Sequence, residues 1–78
     1  MKIRFFGMAV EIVGEHTLWF DLPENISVDD LRKLLEMKYP ALTSLGSYLV
    51  AVNNAYAAAE TRVSPGDEVA ILPPVSGG

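Results

Sequence analysis

One segment of the chain has a clear helical repeat, and it limits the fold more than any other feature of the sequence. Its apolar positions recur every three or four residues, which places them on one helix face: Val28, Leu31, Leu34 and Leu35. Ser27 is a favourable N-cap, Asp30 occupies the capping-box position, and Pro40 stops the helix after Tyr39. The sequence therefore predicts one amphipathic helix of about three turns.

Most of the other apolar segments are short and favour strands. The expected strands are residues 2–6, 17–22, 48–53, 56–58 and 68–72. Alternation places Ile3 and Phe5 on one face of the first strand, and Val69 and Ile71 on one face of the last. Residues 8–13 are expected to form a short helix.

Glycine, proline and asparagine mark the connections. Gly14 is expected to cap the short helix, and the Asn53-Asn54 pair signals a turn between two strands. The Pro-Gly centre of residues 64–67 suits a type II turn.

The order of these elements predicts an α+β protein, a sheet with one main helix packed on one face. It resembles the ubiquitin-like β-grasp, a mixed sheet in which the first and last strands lie parallel at the centre. Pro73 and Pro74 cannot donate ladder hydrogen bonds, so the sheet must end before them. We therefore expect a domain over residues 1–72 and a flexible, extended C-terminal tail over residues 73–78.

Composition excludes several classes of function. The 78 residues make one domain, and the absence of cysteine excludes disulfides, thiolate metal sites and a thiol nucleophile. A net charge of −4 with only 6 basic residues argues against nucleic-acid binding. No apolar run approaches the roughly 20 residues of a membrane span, so we expect no membrane association and a cytoplasmic protein.

No internal side chain is a convincing catalyst or metal ligand. His16 is the only histidine and is expected in a surface turn, while Asp29 and Asp30 are explained by capping of the helix. The carboxylate of Gly78 remains, and it has no β-carbon to shield it. Residues 73–78 can reach roughly 20 Å, so the carboxylate is expected at the end of a slender arm that enters a narrow site. A frayed end without function is the alternative.

Two apolar residues fall on the face opposite the predicted core. Phe6 and Leu72 share that face with Lys2, Arg4 and Glu68, and adjacent first and last strands would bring them together beside the tail. They form either a docking patch or scattered exposed apolar residues of no significance.

Three stretches of sequence carry a resemblance to a known family: RFFG near the start, AVN at residues 51–53, and GDEVAILPPVSGG at residues 66–78. With the order of elements, the chain resembles the MoaD type of the MoaD/ThiS sulfur carriers, the small subunits of molybdopterin synthase. The resemblance covers essentially the whole chain.

The resemblance implies how the tail acts. An ATP-dependent, ubiquitin-activating-like enzyme (MoeB-type) would adenylate Gly78 and sulfur transfer would make it a thiocarboxylate, with no cofactor bound to the carrier itself. The tail residues Pro73, Pro74, Val75, Ser76 and Gly77 would enter the large synthase subunit (MoaE-type), where sulfur builds the dithiolene of molybdopterin. Family members dock through the sheet face near the tail, which maps onto Phe6, Leu72 and Tyr56. The chain would then be a sulfur-donating subunit without its own catalytic side chain.

Three other functions stay open. A ThiS-like carrier for thiazole formation in thiamine synthesis uses the same thiocarboxylate chemistry. A ubiquitin-like modifier would join Gly78 to lysines of other proteins. A non-covalent binding module would not need the tail.

Overall fold

A five-stranded mixed sheet forms the centre of the computed structural model, which describes residues 1–21 and 25–74. The strands of this sheet are β1 (Lys2–Phe5), β2 (Thr17–Trp19), β4 (Leu49–Val52), β5 (Ala55–Tyr56) and β7 (Glu68–Leu72), while β3 (Ile26–Ser27) pairs with β6 (Arg62–Val63) in a separate antiparallel ribbon. The order across the main sheet is β2-β1-β7-β4-β5. The β1–β7 pair is parallel and the other pairs are antiparallel, which confirms the expected central pair.

The helices are α1 (Met8–Val13), α2 (Val28–Lys38) and a 3-10 helix over Pro40–Leu45. Helix α2 is the predicted amphipathic helix. The Ser27 hydroxyl accepts a hydrogen bond from the Asp30 amide at 3.1 Å, and the helix ends at the residue before Tyr39. Helix α1 ends as expected, because Gly14 adopts a left-handed conformation and donates its amide to the Val10 carbonyl at 2.7 Å.

The core lies between the sheet and α2. Alternation along β1 and β7 sends Ile3, Phe5, Val69 and Ile71 into it, and all four are almost completely buried, as are the helix residues Val28, Leu31 and Leu35. Burying one such side chain contributes about 1.5–3 kcal/mol. The opposite face of the sheet, which we call the open face, carries side chains that are largely exposed, among them Trp19 and Tyr56.

A buried tyrosine ties α2 to the start of β4. The Tyr48 hydroxyl donates to the Glu36 carboxylate at 2.5 Å, and the Arg32 guanidinium lies 4.6 Å from the centre of the Tyr48 ring. Burial and then the hydrogen bond to Glu36 raise the pKa of Tyr48 to about 12, against the opposing effect of Arg32. The phenol is therefore a neutral structural donor at neutral pH.

Two elements were missed and one local expectation was wrong. The β3–β6 ribbon and the 3-10 helix were not predicted, since each is too short to show a periodic pattern. The turn at residues 64–67 is not type II, because Gly66 does not adopt a positive φ. Instead, the Asp67 carboxylate accepts the Ser64 amide at 2.8 Å, and the Asp67 amide donates to the Ser64 carbonyl at 2.9 Å. The hydrogen bond from the Ser64 amide, and then the one from the Asn53 side chain, lower the pKa of Asp67.

Within residues 1–21 and 25–74, no helix has both the length and the apolar character needed to cross a membrane.

Candidate functional site

The open face of the sheet carries a row of side chains that the strand register brings side by side. Arg4 lies opposite Ala70, Ala70 opposite Ala51, and Ala51 opposite Tyr56. Tyr56, on the edge strand β5, is 71% exposed. Two alanines therefore form a low centre in this row, with larger side chains at both ends.

Phe6 and Leu72 lie beside this row, where β1 and β7 end. The Phe6 amide donates to the Ile71 carbonyl at 3.1 Å, which extends the parallel ladder by one residue past β1 and brings Phe6 next to Leu72. The Phe6 side chain is 36% exposed, and Leu72 is half-buried. The expectation that these two residues meet on the open face is confirmed.

Together these side chains enclose a depression of about 330 Å³, which we call the open-face pocket. Its lining consists of Arg4, Phe6, Ala51, Asn54, Tyr56, Glu68, Ala70 and Leu72. All three residues that the resemblance implied for docking are therefore brought together in one pocket. Ala51, Ala70 and Asn54 were missed, although alternation along β4 and β7 would have placed the two alanines on this face. Their small side chains gave no apolar signal.

One rim of the pocket is charged but internally paired. The Arg4 guanidinium lies 3.5 Å from the Glu68 carboxylate and 5.3 Å from the centre of the Phe6 ring. Both charged side chains are about half exposed, so the ion pair contributes only about 0–1 kcal/mol to stability. Its position matters more, because it sets a polar rim beside an apolar floor. That arrangement is typical of protein–protein interfaces.

The pocket adjoins the point at which the chain leaves the sheet. Pro73 follows β7 directly, is half-buried and lies against Gly7, whereas Pro74 is exposed. The remaining predicted tail residues, Val75, Ser76, Gly77 and Gly78, lie outside the described residues. Their roles, and the division of the chain at residue 73, stay predictions.

The other candidates have structural explanations. His16 is exposed, and its carbonyl accepts the Phe5 amide at 2.8 Å. Asp29 forms an ion pair with Lys33 at 3.2 Å along α2, and Asp30 supplies the capped amide. Across residues 1–21 and 25–74, no group of three or more histidine, aspartate or glutamate side chains could hold a metal ion.

The fold and the open-face pocket define a class: a ubiquitin-like β-grasp protein with a partly apolar pocket next to its C-terminal segment. The profile of the ThiS family matches residues 3–78, and the chain belongs to this family. Within it the MoaD-type resemblance is confirmed. A relative from Dictyostelium discoideum named "Molybdopterin synthase sulfur carrier subunit" is 39% identical over 82 residues, which cover 99% of this chain and 94% of the relative.

Solved structures agree with the fold. SAMP1 from Haloferax volcanii, a small archaeal modifier protein, has a TM-score of 0.82 and 30% identity over 99% of this chain and 97% of its own. A chain in the complex of subunits 1 and 2 of molybdopterin-converting factor from Helicobacter pylori has a TM-score of 0.66 and 28% identity. The alignment covers 99% of this chain and 96% of that one.

Proposed function

We propose that this chain is the sulfur-carrier subunit of a molybdopterin synthase and acts through the carboxylate of Gly78. The observation that carries the proposal is the open-face pocket beside the exit of the chain at Pro73, in a family member whose relatives bear the name of that carrier subunit. The pocket provides a surface for docking, and the segment after it provides the reactive group. No side chain in the pocket needs to react.

The chemistry takes place in three balanced steps. A Gly78 carboxylate oxygen attacks the α-phosphate of ATP on an activating enzyme, which releases pyrophosphate and leaves a mixed anhydride. A sulfide equivalent from a donor then displaces AMP and leaves a thiocarboxylate. In the synthase, the thiocarboxylate sulfur attacks a carbon of the pterin precursor and displaces an oxygen leaving group from that carbon. Water then cleaves the acyl–sulfur bond, which leaves the sulfur on the product as a thiolate and restores the Gly78 carboxylate. Gly77 and Gly78 suit a narrow channel because neither has a side chain.

The same face would serve both partners in turn. Phe6, Leu72 and Tyr56 surround a floor of alanines, and an apolar side chain of a partner could fill the space between them. The H. pylori structure is a complex of two subunits of molybdopterin-converting factor, which supports a large subunit as one of these partners. The activating enzyme would be the second, and the two would bind in alternation.

Intact-mass spectrometry tests the carrier role. The chain is incubated with host lysate, ATP and a sulfur source, next to a variant that lacks Gly78. We expect the full chain to gain the mass that corresponds to replacement of one oxygen by sulfur. The variant that lacks Gly78 should keep its mass. An unchanged mass in a lysate that is active on another carrier would contradict the proposal. Co-purification of a large synthase subunit separates this function from a ThiS-like carrier in thiamine synthesis.

The similarity to SAMP1 favours a second candidate, attachment of Gly78 to lysines of other proteins. This reaction begins with the same adenylate but ends with an isopeptide bond. Immunoblots of cells that express the tagged chain distinguish the two. A ladder of adducts that disappears when Gly78 is deleted would support the modifier function.

A further inference from the structure

The charged residues in the strands of the main sheet all lie on the open face. They are Lys2, Arg4 and Glu68, and alternation along β1 and β7 places each of them opposite the core. In the register, Lys2 lies next to Glu68 and Arg4 next to Ala70. These strands therefore present two positive charges and one negative charge, although the chain as a whole has a net charge of −4. The open face is a locally basic surface on an acidic protein.

Acidic residues close to the strands in sequence do not reverse this sign at the pocket. The Asp67 carboxylate accepts the Ser64 amide at 2.8 Å and the Asn53 side chain at 3.0 Å, so it is engaged in the turn before β7. Glu15 and Asp21 flank β2, which is the edge of the sheet opposite β5 and its side of the pocket.

The other basic side chains serve the scaffold. Four of the six lysines and arginines of the chain lie outside the main sheet, and each has a partner elsewhere in the fold. These partners are Asp29 for Lys33, the Tyr48 ring for Arg32, the Phe20 ring for Lys38 and the Asn25 carbonyl for Arg62. The two remaining cations, Lys2 and Arg4, share the face that carries the pocket.

Arg4 is held in place but keeps donors for a partner. Its guanidinium lies 5.3 Å from the centre of the Phe6 ring and 3.5 Å from the Glu68 carboxylate. A guanidinium has five N–H donors in a planar fork, and a contact of 3.5 Å is too long for a strong bidentate pair. Because the side chain is about half exposed, the remaining donors are open to a group that covers the pocket.

The position of Arg4 indicates which group that would be. Arg4 lies at one end of the floor formed by Ala70 and Ala51, about 10 Å from Ala51 across two strand spacings. An apolar side chain on this floor would bring its own neighbours within reach of the guanidinium. The planar fork matches a carboxylate, and Lys2 offsets the repulsion that Glu68 would exert on it.

We propose that the open face selects an acidic docking surface: the large synthase subunit places an apolar side chain in the open-face pocket and a carboxylate on the Arg4 guanidinium, while Lys2 attracts that surface at longer range. The inference rests on the proposed function, since it takes the large subunit as the occupant. Arg4 is then a residue that determines specificity, whereas the apolar lining supplies contact area.

Association kinetics of the full chain with the purified large subunit of the same host test the proposal. Arg4→Glu and Lys33→Glu change the net charge equally, but Lys33 lies on α2, on the other side of the core, and is exposed. At about 0.1 M salt we expect Arg4→Glu to lower kon at least about tenfold and Lys33→Glu less than about twofold. The difference should shrink at about 1 M salt, where the Debye length falls to about 3 Å. Thermal unfolding checks that each variant is folded.

Three further variants test the sign of the charge and the geometry of the contact. Glu68→Gln should raise kon about threefold, and Lys2→Glu should lower it about threefold with koff unchanged. Arg4→Lys keeps the charge but loses the fork, so kon should stay within about twofold of wild type while koff rises about fivefold.

Other kinds of docking surface would give different patterns, and each would overturn the proposal. A basic surface would reverse the signs, so that Arg4→Glu speeds association and Glu68→Gln slows it. An uncharged surface would leave kon of both variants within about twofold of wild type. An equal loss from Arg4→Glu and Lys33→Glu would show that only net charge matters. In all three cases the wild-type complex still forms, whereas a large subunit that does not bind the wild-type chain would contradict the proposed function itself.

Discussion

Replacement of Tyr56 by alanine tests the proposed docking role of the open face separately from the stability of the fold. Tyr56 is 71% exposed on the two-residue edge strand β5, so its loss should cost the fold less than about 1 kcal/mol. An aromatic side chain can bury about 150–250 Å² in an interface. The exposed part of Tyr56 is therefore roughly 140 Å², equivalent to about 3.5 kcal/mol at about 25 cal/mol per Å².

Only part of this free energy would appear as affinity, because the phenol hydroxyl must keep a polar partner and the side chain loses freedom on binding. We expect Tyr56→Ala to weaken binding to the large synthase subunit by about 2–3 kcal/mol, or roughly 30- to 150-fold in Kd. Isothermal titration calorimetry measures the affinity, and thermal unfolding checks that the fold is intact.

Trp19→Ala is the matched control. Trp19 is 76% exposed and shares the open face, but it lies on β2, at the opposite edge of the sheet from Tyr56. Its removal takes away at least as much exposed aromatic surface, and we expect less than about a threefold change in Kd. A Tyr56→Ala variant within threefold of wild type, or an equal loss from Trp19→Ala, would refute the docking surface as defined here.

Four further predictions concern the scaffold. Tyr48→Phe leaves Glu36 without its donor and should lower stability by about 1–2 kcal/mol in thermal unfolding; an unchanged Tm would contradict this. Because the pKa of Tyr48 is raised to about 12, its stabilising contribution is complete below about pH 10 and is lost as the pH rises towards 12, a loss that Tyr48→Phe should not show. The Ser64 amide and then the Asn53 side chain lower the pKa of Asp67, so wild type should lose stability as the pH falls below about 4, whereas Asp67→Ala should give a flatter profile. Gly66→Ala should raise stability by about 0.4–1 kcal/mol, since Gly66 does not have a positive φ and an added β-carbon would meet nothing within 4 Å. A marked loss of stability would contradict this and favour a type II turn at residues 64–67.

The elements that follow from local rules were predicted closely. The limits of α1 and β7 match the expected residues. Ser27 is the N-cap of α2, as predicted, and its hydroxyl accepts a hydrogen bond from the Asp30 amide. The Asn53-Asn54 turn has positive φ at both residues, as expected for a tight hairpin. These features depend on side chains only a few residues apart. The strand expected at residues 17–22 is found at Thr17–Trp19, and Leu22 lies outside the described residues.

The candidate site was predicted in part. Alternation alone placed Phe6 and Leu72 on the open face, and the family resemblance added Tyr56. The alanine floor of the pocket and the Arg4–Glu68 pair on its rim became visible only when the strands were assembled. Gly7 had no sequence signal that linked it to Pro73, which is 66 positions away.

By itself, the sequence determined which side chains β1, β7 and α2 present to the core, because these choices follow from periods of about 3.6 and 2 residues and from caps within one turn. Only the tertiary structure decided that the alanines Ala51 and Ala70 lie between Arg4 and Tyr56 on the open face. That depends on the order and register of strands far apart in the chain, and the free energy of this pairing comes mainly from the buried face. The pocket beside Pro73 is thus a consequence of how the core of the sheet packs.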